Sequence, residues 1–421
     1  VDGSAANGKW PALIREADVV VDGILGIGGR PGLAGDAAAW VDEIPEDAWV
    51  VAVDQPSGAD PAGETAVEDA VFADETVTFG VAKPVHLMPG TEPAVGRLTV
   101  VDIGLDLGPD PASPLPNTRS WRFRPADGPK TDNNESPEAG KAGFRPVVER
   151  LTWDDVRRLW PVPGASSDKY SRGVVGIVAG TPTYPGAAVL SVLGALGAGP
   201  GMVRYVGPPE VQALIHAAAP EAVTAEGRVQ AWVCGSGFDP GSRAKGVAEQ
   251  KRHVEEALAS DLPVVVDAGA LELLDHRDAP TLLTPHAGEL ARLLSRLRGE
   301  EVTREAVSAN PLRHAREAAE RTGCTVLLKG SHTLVVSPDR SRSVRSQADA
   351  PAWVGTAGAG DVLGGLLGTL LAAGLDPLDA GALGALVHGV AADRTNPGGP
   401  VRISEVARRI PETVAALLRY T

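Results

Sequence analysis

Cysteine is almost missing: Cys234 and Cys324 stand alone in 421 residues, without Cys-x-x-Cys spacing. Neither a disulfide framework nor a zinc site is expected, and a reducing, cytoplasmic setting fits. Long apolar runs are missing too. The longest, Val362 to Leu375, is bounded by Asp361 and Asp376. It falls short of the roughly 20 residues of a membrane span, so it is read as a buried helix and no membrane partner is expected. The amino terminus lacks a basic region followed by a hydrophobic core and cleavage site, so export is not expected. Basic side chains are outnumbered, 39 against 54 acidic, for a formal charge of -15. That excess repels polyphosphate backbones at long range, which argues against nucleic acid and leaves any anionic ligand to a local, focused site.

What remains is an ordinary globular composition, 43% hydrophobic and 22% charged, in a chain long enough for two or three domains. No internal repeat is evident. Between about Pro109 and Arg150 apolar periodicity gives way to Pro, Gly, Asn, Asp and scattered charge, as in Ala126 to Glu138. Such a segment buries too little surface to offset its ordering entropy, so a flexible linker is expected over 109–150, between a front region 1–108 and a larger domain 151–421.

After the linker, short β-branched runs alternate with helix-length segments: Val174 to Val178, Val203 to Val206, Ala231 to Cys234, Val264 to Asp267 and Thr325 to Leu328. That alternation predicts an α/β, doubly wound, mostly parallel sheet. Its ligands belong at the carboxyl edge, where the strands run into Gly180-Thr181, Gly235-Ser236-Gly237, Asp267-Ala268 and Lys329-Gly330. The front region repeats the pattern over Asp18 to Asp22, Trp49 to Asp54 and Thr76 to Phe79. With about four strands and few helices, it reads as a partial Rossmann-like α/β lobe.

Thr356-Ala357-Gly358-Ala359-Gly360-Asp361 precedes the apolar helix, where glycines let successive N–H groups converge on an anion. Asp361 then stands beside a phosphate, able to take the proton of a hydroxyl attacking phosphorus, or else simply caps the helix. Lys329-Gly330-Ser331-His332-Thr333 leaves a strand with a point charge and hydroxyl donors suited to a nucleotide phosphate, in a chain of 8 lysines against 31 arginines. A solvated turn is the plain alternative. In Thr284-Pro285-His286-Ala287-Gly288-Glu289 the imidazole either meets a ligand or caps a helix. Gly180 to Ala187, followed by Gly194, Gly197, Gly199 and Gly201, admits a flat ligand or tight helix packing equally well. Asp267 orders water or a metal, or caps the next helix. In the front lobe, Gly26-Ile27-Gly28-Gly29-Arg30-Pro31-Gly32 could wrap a pyrophosphate, and Asp22 with Ser57 could hold a cation through oxygen atoms.

Taken together, Lys169-Tyr170-Ser171-Arg172-Gly173, Tyr184-Pro185-Gly186-Ala187, Thr284 to Glu289, Lys329-Gly330 and Gly358-Ala359-Gly360-Asp361-Val362-Leu363 resemble the ADP-dependent NAD(P)H-hydrate dehydratase family. The resemblance covers about Leu151 to Thr421 and implies a ribokinase-like fold. It implies repair of NADH or NADPH hydrate, with ADP, or ATP, and Mg2+ as co-reactants. By that resemblance Asp361 is the base, Ala187, Gly237, His286 and Asp361 contact the hydrate, and Lys329, Gly330, Ser331, His332, Thr333 and Gly360 hold the nucleotide. The front region, through Asp22 to Gly28 and Asp54-Gln55-Pro56-Ser57-Gly58, is similar to the NAD(P)H-hydrate epimerase domain fused to it in bifunctional repair enzymes. This implies substrate contacts at Gly26, Ile27, Gly28, Gly29, Arg30, Pro31, Gly32 and Asp54, and K+ at Asp22 and Ser57. A homo-oligomer is expected. The family's Gly-Asn-rich loop has no counterpart before Asp18, so the epimerase lobe is expected to be incomplete. In the larger domain, Gly235-Ser236-Gly237-Phe238 stands where the family has Gly-Pro-Gly-Leu, and Ala350 to Gly355 replaces its Gly-Asn and Gly-Met-Ala segments. A small-molecule kinase of ribokinase type is the competing reading, with a noncatalytic dinucleotide-binding module the alternative for the front lobe.

Overall fold

The computed structural model describes residues 10–66, 68–104, 119–121, 146–244 and 246–419. The chain divides into two units at the Arg150–Leu151 junction.

In the first unit β1 (Val19–Asp22), β2 (Trp49–Val53), β3 (Glu75–Phe79) and β4 (Arg97–Val101) form a parallel sheet in chain order. Val50, Ala52, Val71 and Ala73 make its small core. Two further strands, β5 (Arg119–Trp121) and β6 (Pro146–Glu149), pair antiparallel. They lie inside 109–150, expected as flexible linker, so that expectation is corrected at these positions. The β-branched pair Val147 and Val148 supplies the propensity that the polar composition around it concealed. The rest of that expected linker, 109–118 and 122–145, lies outside the described residues.

The second unit carries β7 (Val174–Val178), β8 (Met202–Tyr205), β9 (Ala231–Cys234), β10 (Val264–Val266), β11 (Thr281–Leu283), β12 (Thr325–Leu328), β13 (Thr333–Val336) and β14 (Val344–Gln347). Across the sheet they run β14, β13, β12, β11, β10, β9, β7, β8. From β12 to β8 all neighbours are parallel; β13 and β14 are antiparallel. Every residue of β7, β10, β11 and β12 is buried, as a parallel sheet with both faces covered requires. Such strands read as continuous apolar runs, and three-residue β11 is too short to stand out as one.

From β7 the chain goes to β8 on one side and to β9 on the other. That reversal opens a crevice at the carboxyl ends of β7 and β9, the place where doubly wound sheets take ligands. One covering layer is the helix Ala359–Ala372, whose residues from Val362 to Ala372 are all buried. It lies against the helix Pro185–Gly197 at backbone distance: a Cβ at Gly194 would strike Val362 O, and one at Gly365 would strike Ser191 O. Gly197 is filled likewise, with Ala407 O at 2.9 Å from a Cβ built there. These glycines serve packing, the plainer of their two readings. Among the described residues no helix is long and apolar enough to cross a membrane.

Candidate active site

Three strand ends meet at the crevice of the second unit. Gly237, just past β9, has φ +64, and a Cβ there would lie 2.6 Å from Ala187 Cβ and 3.2 Å from Gly180 Cα. Glycine alone satisfies both the backbone and the space. Ala187 and Gly237 are therefore neighbours, and Thr181 Oγ1 donates to Gly237 O at 3.1 Å to hold the turn.

Asp267, at the end of β10, is only 3% exposed. Its Oδ1 accepts from Lys329 Nζ and Thr284 Oγ1, each at 2.8 Å, and its Oδ2 accepts from Ser236 Oγ at 3.1 Å. Burial works to raise the Asp267 pKa, but the Lys329 charge and the three hydrogen bonds outweigh it and hold it below the ordinary value. Burial likewise works to lower Lys329, and the carboxylates of Asp267 and Glu289, the latter 3.7 Å away, hold it above its ordinary value. Both groups are charged at neutral pH. The backbone around them is constrained: Ala268 has φ +44, and a Cβ at Gly235 would collide with Asp267 O. Left-handed non-glycine residues of this kind gather at functional sites.

The helix Ala359–Ala372 starts at Gly358, φ +95, with no side chain capping it. Ala359 N donates to Thr356 O at 3.4 Å, which leaves the N–H groups of Gly360 and Asp361 to an anion. Gly360 sits over the ion pair: a Cβ there would be 3.2 Å from Lys329 Nζ and 3.8 Å from Asp267 Oδ2. The next residue, Asp361, has its pKa pushed up to about 7, chiefly by burial and then by the Asp267 charge; a Ser236 hydrogen bond and the Lys329 charge oppose the rise. A carboxyl poised near neutral pH beside a cation and a helix amino end is matched to general-base work on a hydroxyl attacking phosphorus.

His286 caps the helix Ala287–Arg298: its Nδ1 accepts from Gly288 N at 3.0 Å and Glu289 N at 3.2 Å. The proton is therefore on Nε2. Burial, with Lys329 and Arg292 nearby, lowers its pKa against the pull of Glu289, so it is a neutral donor. It is tied to the cluster by a parallel bridge to Lys329, so cap and ligand-facing donor are compatible. Ser331 and His332 form the turn towards β13, Ser331 Oγ lying 3.2 Å from His332 Nδ1. Gly330 and Ser331 are exposed, His332 and Thr333 half-buried; Lys329 is the member of this loop that reaches the carboxylates. A cavity of about 330 Å³ opens alongside, lined by Ala268, Glu289, Arg292 and Arg296 among others.

In the first unit the loops after β1 and β2 converge. Asp22 Oδ1 accepts from Ser57 Oγ at 2.5 Å and its Oδ2 from Ser57 N at 2.7 Å, while Ser57 Oγ accepts from Leu25 N at 2.8 Å. The loop Gly26–Gly32 is pinned by Gly29 N to Gly26 O, Gly32 N to Gly58 O and Gln55 Nε2 to Gly26 O, at 2.8, 2.7 and 3.1 Å. Ile27 and Arg30 of this loop are exposed. Asp54, φ 71, is held by Lys83 Nζ at 2.6 Å and Thr78 Oγ1 at 3.0 Å. His86 Nδ1 accepts from Lys83 N at 2.9 Å, so its Nε2 donates to Asp54 O at 2.7 Å. Burial lowers His86 to about 4.

Sequence reasoning gave no role to Ser236, Thr284 and Glu289 in one unit, or to Lys83, Thr78, His86 and Gln55 in the other. Ser236 and Thr284 lie within two residues of strand ends, which was the available signal. Lys83 had only lysine scarcity to mark it.

Two family profiles match: NAD(P)H-hydrate dehydratase over residues 175–405, and YjeF-related protein N-terminus over residues 3–85. Along 418 residues the chain is 38% identical to a bifunctional NAD(P)H-hydrate repair enzyme of Mycobacterium leprae, covering 95% of this chain and 76% of that one. An ADP-dependent (S)-NAD(P)H-hydrate dehydratase of Neisseria meningitidis is 36% identical over 251 residues, 54% of this chain and 78% of its own. Among solved structures, an ADP/ATP-dependent NAD(P)H-hydrate dehydratase of Bacillus subtilis co-crystallised with ATP/Mg2+ superposes with TM-score 0.55. It is 26% identical and covers 64% of this chain and 98% of its own. The chain belongs to the family of bifunctional NAD(P)H-hydrate repair enzymes, with an epimerase-type domain ahead of a ribokinase-like, ADP-dependent dehydratase domain.

Proposed function

We propose that the second unit returns (S)-NADH or NADPH hydrate to the reduced dinucleotide at the expense of ADP, with Asp361 as base. The observation that carries this reading is the near-neutral Asp361 carboxyl at an uncapped helix start, beside the Lys329–Asp267 pair. Asp361 takes the proton of the hydroxyl at ring carbon 6, and that oxygen bonds the terminal phosphorus of ADP as AMP departs with the bonding pair. The nitrogen lone pair then expels the phosphate from carbon 6, and loss of a proton from carbon 5 restores the ring double bond. Phosphate leaves far more readily than hydroxide. Lys329, the N–H groups at Gly360 and the hydroxyls of Ser331 and Thr333 hold the nucleotide charge, with Gly330 and His332 in the same turn. Ala187, Gly237 and the Nε2–H of His286 orient the hydrate. ATP is an alternative phosphoryl donor at the same positions.

Among the described residues no group of three or more His, Cys, Asp or Glu is placed to hold a metal, and Asp267 is engaged by Lys329. Magnesium therefore fits as the companion of the nucleotide phosphates, where it would offset their charge.

For the first unit the same reading makes Gly26 to Gly32 and Asp54 the cradle of the epimerase substrate, with Lys83 steadying the Asp54 carboxylate. Asp22 and Ser57 offer the oxygen donors that suit potassium, whose charge would steady the loops they join. Free, buried cysteines agree with a cytoplasmic setting.

Incubation with ADP, magnesium and NADH hydrate is expected to restore absorbance at the reduced-nicotinamide band. Accumulation of a stable phosphorylated product from ATP, with the hydrate untouched, would favour the kinase reading. Consumption of the R hydrate without added epimerase tests the first unit.

A further inference from the structure

The cavity beside the dehydratase crevice lies between the 3-10 helix Ala268–Glu272 and the helix Ala287–Arg298. Both walls start at the reaction centre: Ala268 directly follows Asp267, and Glu289 stands 3.7 Å from Lys329. Glu289, Arg292, Leu293 and Arg296 share one helix face by their spacing of three and four, and all four line the cavity. Leu271 and Leu293, each 3% exposed, make part of the lining apolar. The volume, about 330 Å³, is at the small end of ligand sites, which run from about 300 to 1,000 Å³. It admits a part of a dinucleotide.

The charges on its walls are not equivalent. Arg296 is engaged by Asp275 Oδ1 at 2.7 Å and by Leu271 O and Leu274 O. Glu289 Oε2 accepts from His286 N at 2.8 Å and faces Lys329. Arg292 is exposed and makes no hydrogen bond or ion pair with any described residue. It is near enough to His286 for its charge to help lower the pKa of that ring. A guanidinium fork is thus left free at the wall of a pocket, in the geometry that suits phosphate oxygens. Glu272, exposed on the opposite wall and equally unpartnered, is an acceptor only, suited to sugar hydroxyls.

A hydrate whose nicotinamide ring sits at Ala187, Gly237, His286 and Asp361 must send its ribose, pyrophosphate and adenosine out of the crevice. The phosphates of ADP have Lys329 and the helix start at Gly360. Arg292 is six residues beyond His286, about 9 Å along the helix axis at 1.5 Å per residue. We propose, on the reading of this unit as the hydrate dehydratase, that this cavity is the subsite for the pyrophosphate of the substrate, with Arg292 as its cation and Glu272 accepting from a ribose hydroxyl. No bond is made or broken there. Its binding energy holds the ring hydroxyl in line with phosphorus, as remote contacts of a substrate do.

NADH, the product of the proposed reaction, occupies the same subsites without turnover, so fluorescence titration with NADH reads the cavity directly. Arg292→Ala is expected to bind NADH and NADPH at least tenfold more weakly, as loss of a charge-assisted hydrogen bond implies. Its ADP affinity is expected to match the parent, which also shows the fold intact. Reduced nicotinamide riboside, which has no phosphate, is expected to bind parent and variant alike. In turnover the KM for NADH hydrate is expected to rise by the same factor, more than kcat falls. Unchanged NADH affinity, or an equal loss for the riboside, overturns the proposal. A loss confined to NADPH puts its 2′-phosphate on Arg292 and overturns the pyrophosphate assignment. Weakened NADH binding in a protein without dehydratase activity upholds the subsite and sinks the assigned reaction; a parent that binds ADP but neither dinucleotide sinks both.

Discussion

Lys329 Nζ and Asp267 Oδ1 stand 2.8 Å apart, with Gly360 close enough that a Cβ on it would reach Lys329 at 3.2 Å. A cation is thus fixed next to the helix amino end before any nucleotide arrives, and its charge is already partnered. Lys329→Met is expected to weaken ADP binding at least tenfold, as measured by titration calorimetry. It also strands a buried carboxylate, at a cost of about 3 to 5 kcal/mol in stability. Unchanged ADP affinity would remove Lys329 from the nucleotide site.

Asp361 is held out of its preferred state. Its pKa is about 7 in the fold against 3.8 for the free side chain, so the unfolded chain releases this proton first as pH rises. The folded state loses stability between about pH 4 and 7 and does not regain it above. Asp361→Asn cannot ionise. It is expected to be more stable than the parent at pH 8 by roughly 1 to 4 kcal/mol and equal to it below pH 4. Urea melts at the two pH values check this. Equal stability at pH 8 would mean that the carboxyl is not strained.

Much of the site was legible in the sequence because glycines and strand ends announce it. The β-branched runs marked β7, β8, β9, β10 and β12 to within a residue or so, and the loops at Gly180, Gly235, Asp267 and Lys329 follow four of them. What lay hidden was the partnership across the sheet. Nothing in the sequence shows that Ser236 and Lys329, 31 and 62 positions from Asp267, meet at its carboxylate. Strand order decides that, and β9, β10, β11 and β12 are adjacent. The strands β5, β6 and β11 were hidden by their length: three or four residues show no pattern against what surrounds them. The stripe Gly194 and Gly197 suited a ligand or a helix equally until the partner backbone was in view.

Gly365 fixes where Asp361 sits. Since a Cβ there would strike Ser191 O, Gly365→Ala must push the helix Ala359–Ala372 off its neighbour. A loss of more than about 2 kcal/mol is expected, within the range for overpacking a core, together with a drop in kcat beyond what the folded fraction explains. A full-activity, full-stability variant would contradict the packing described.

In the first unit, His86 is buried as the neutral ring, with a pKa of about 4 against 6.5 when free. The unfolded chain takes up the proton first as pH falls, so the stability this histidine contributes is complete above pH 6.5 and is lost from there down to about 4. His86→Gln is expected to flatten that slope in hydrogen-exchange or proteolysis measurements on this unit. An unchanged slope would assign the acid sensitivity elsewhere.

The central claim is that Asp361 deprotonates the hydroxyl that ADP phosphorylates. Its most direct test is the rate at which absorbance of the reduced nicotinamide returns when NADH hydrate, ADP and magnesium are mixed with the parent protein and with Asp361→Asn. The account predicts recovery with the parent, rising through about pH 7, and a rate at least 100-fold lower in the variant, the low end for loss of a general base, with ADP still bound. Comparable recovery in the two proteins would contradict it.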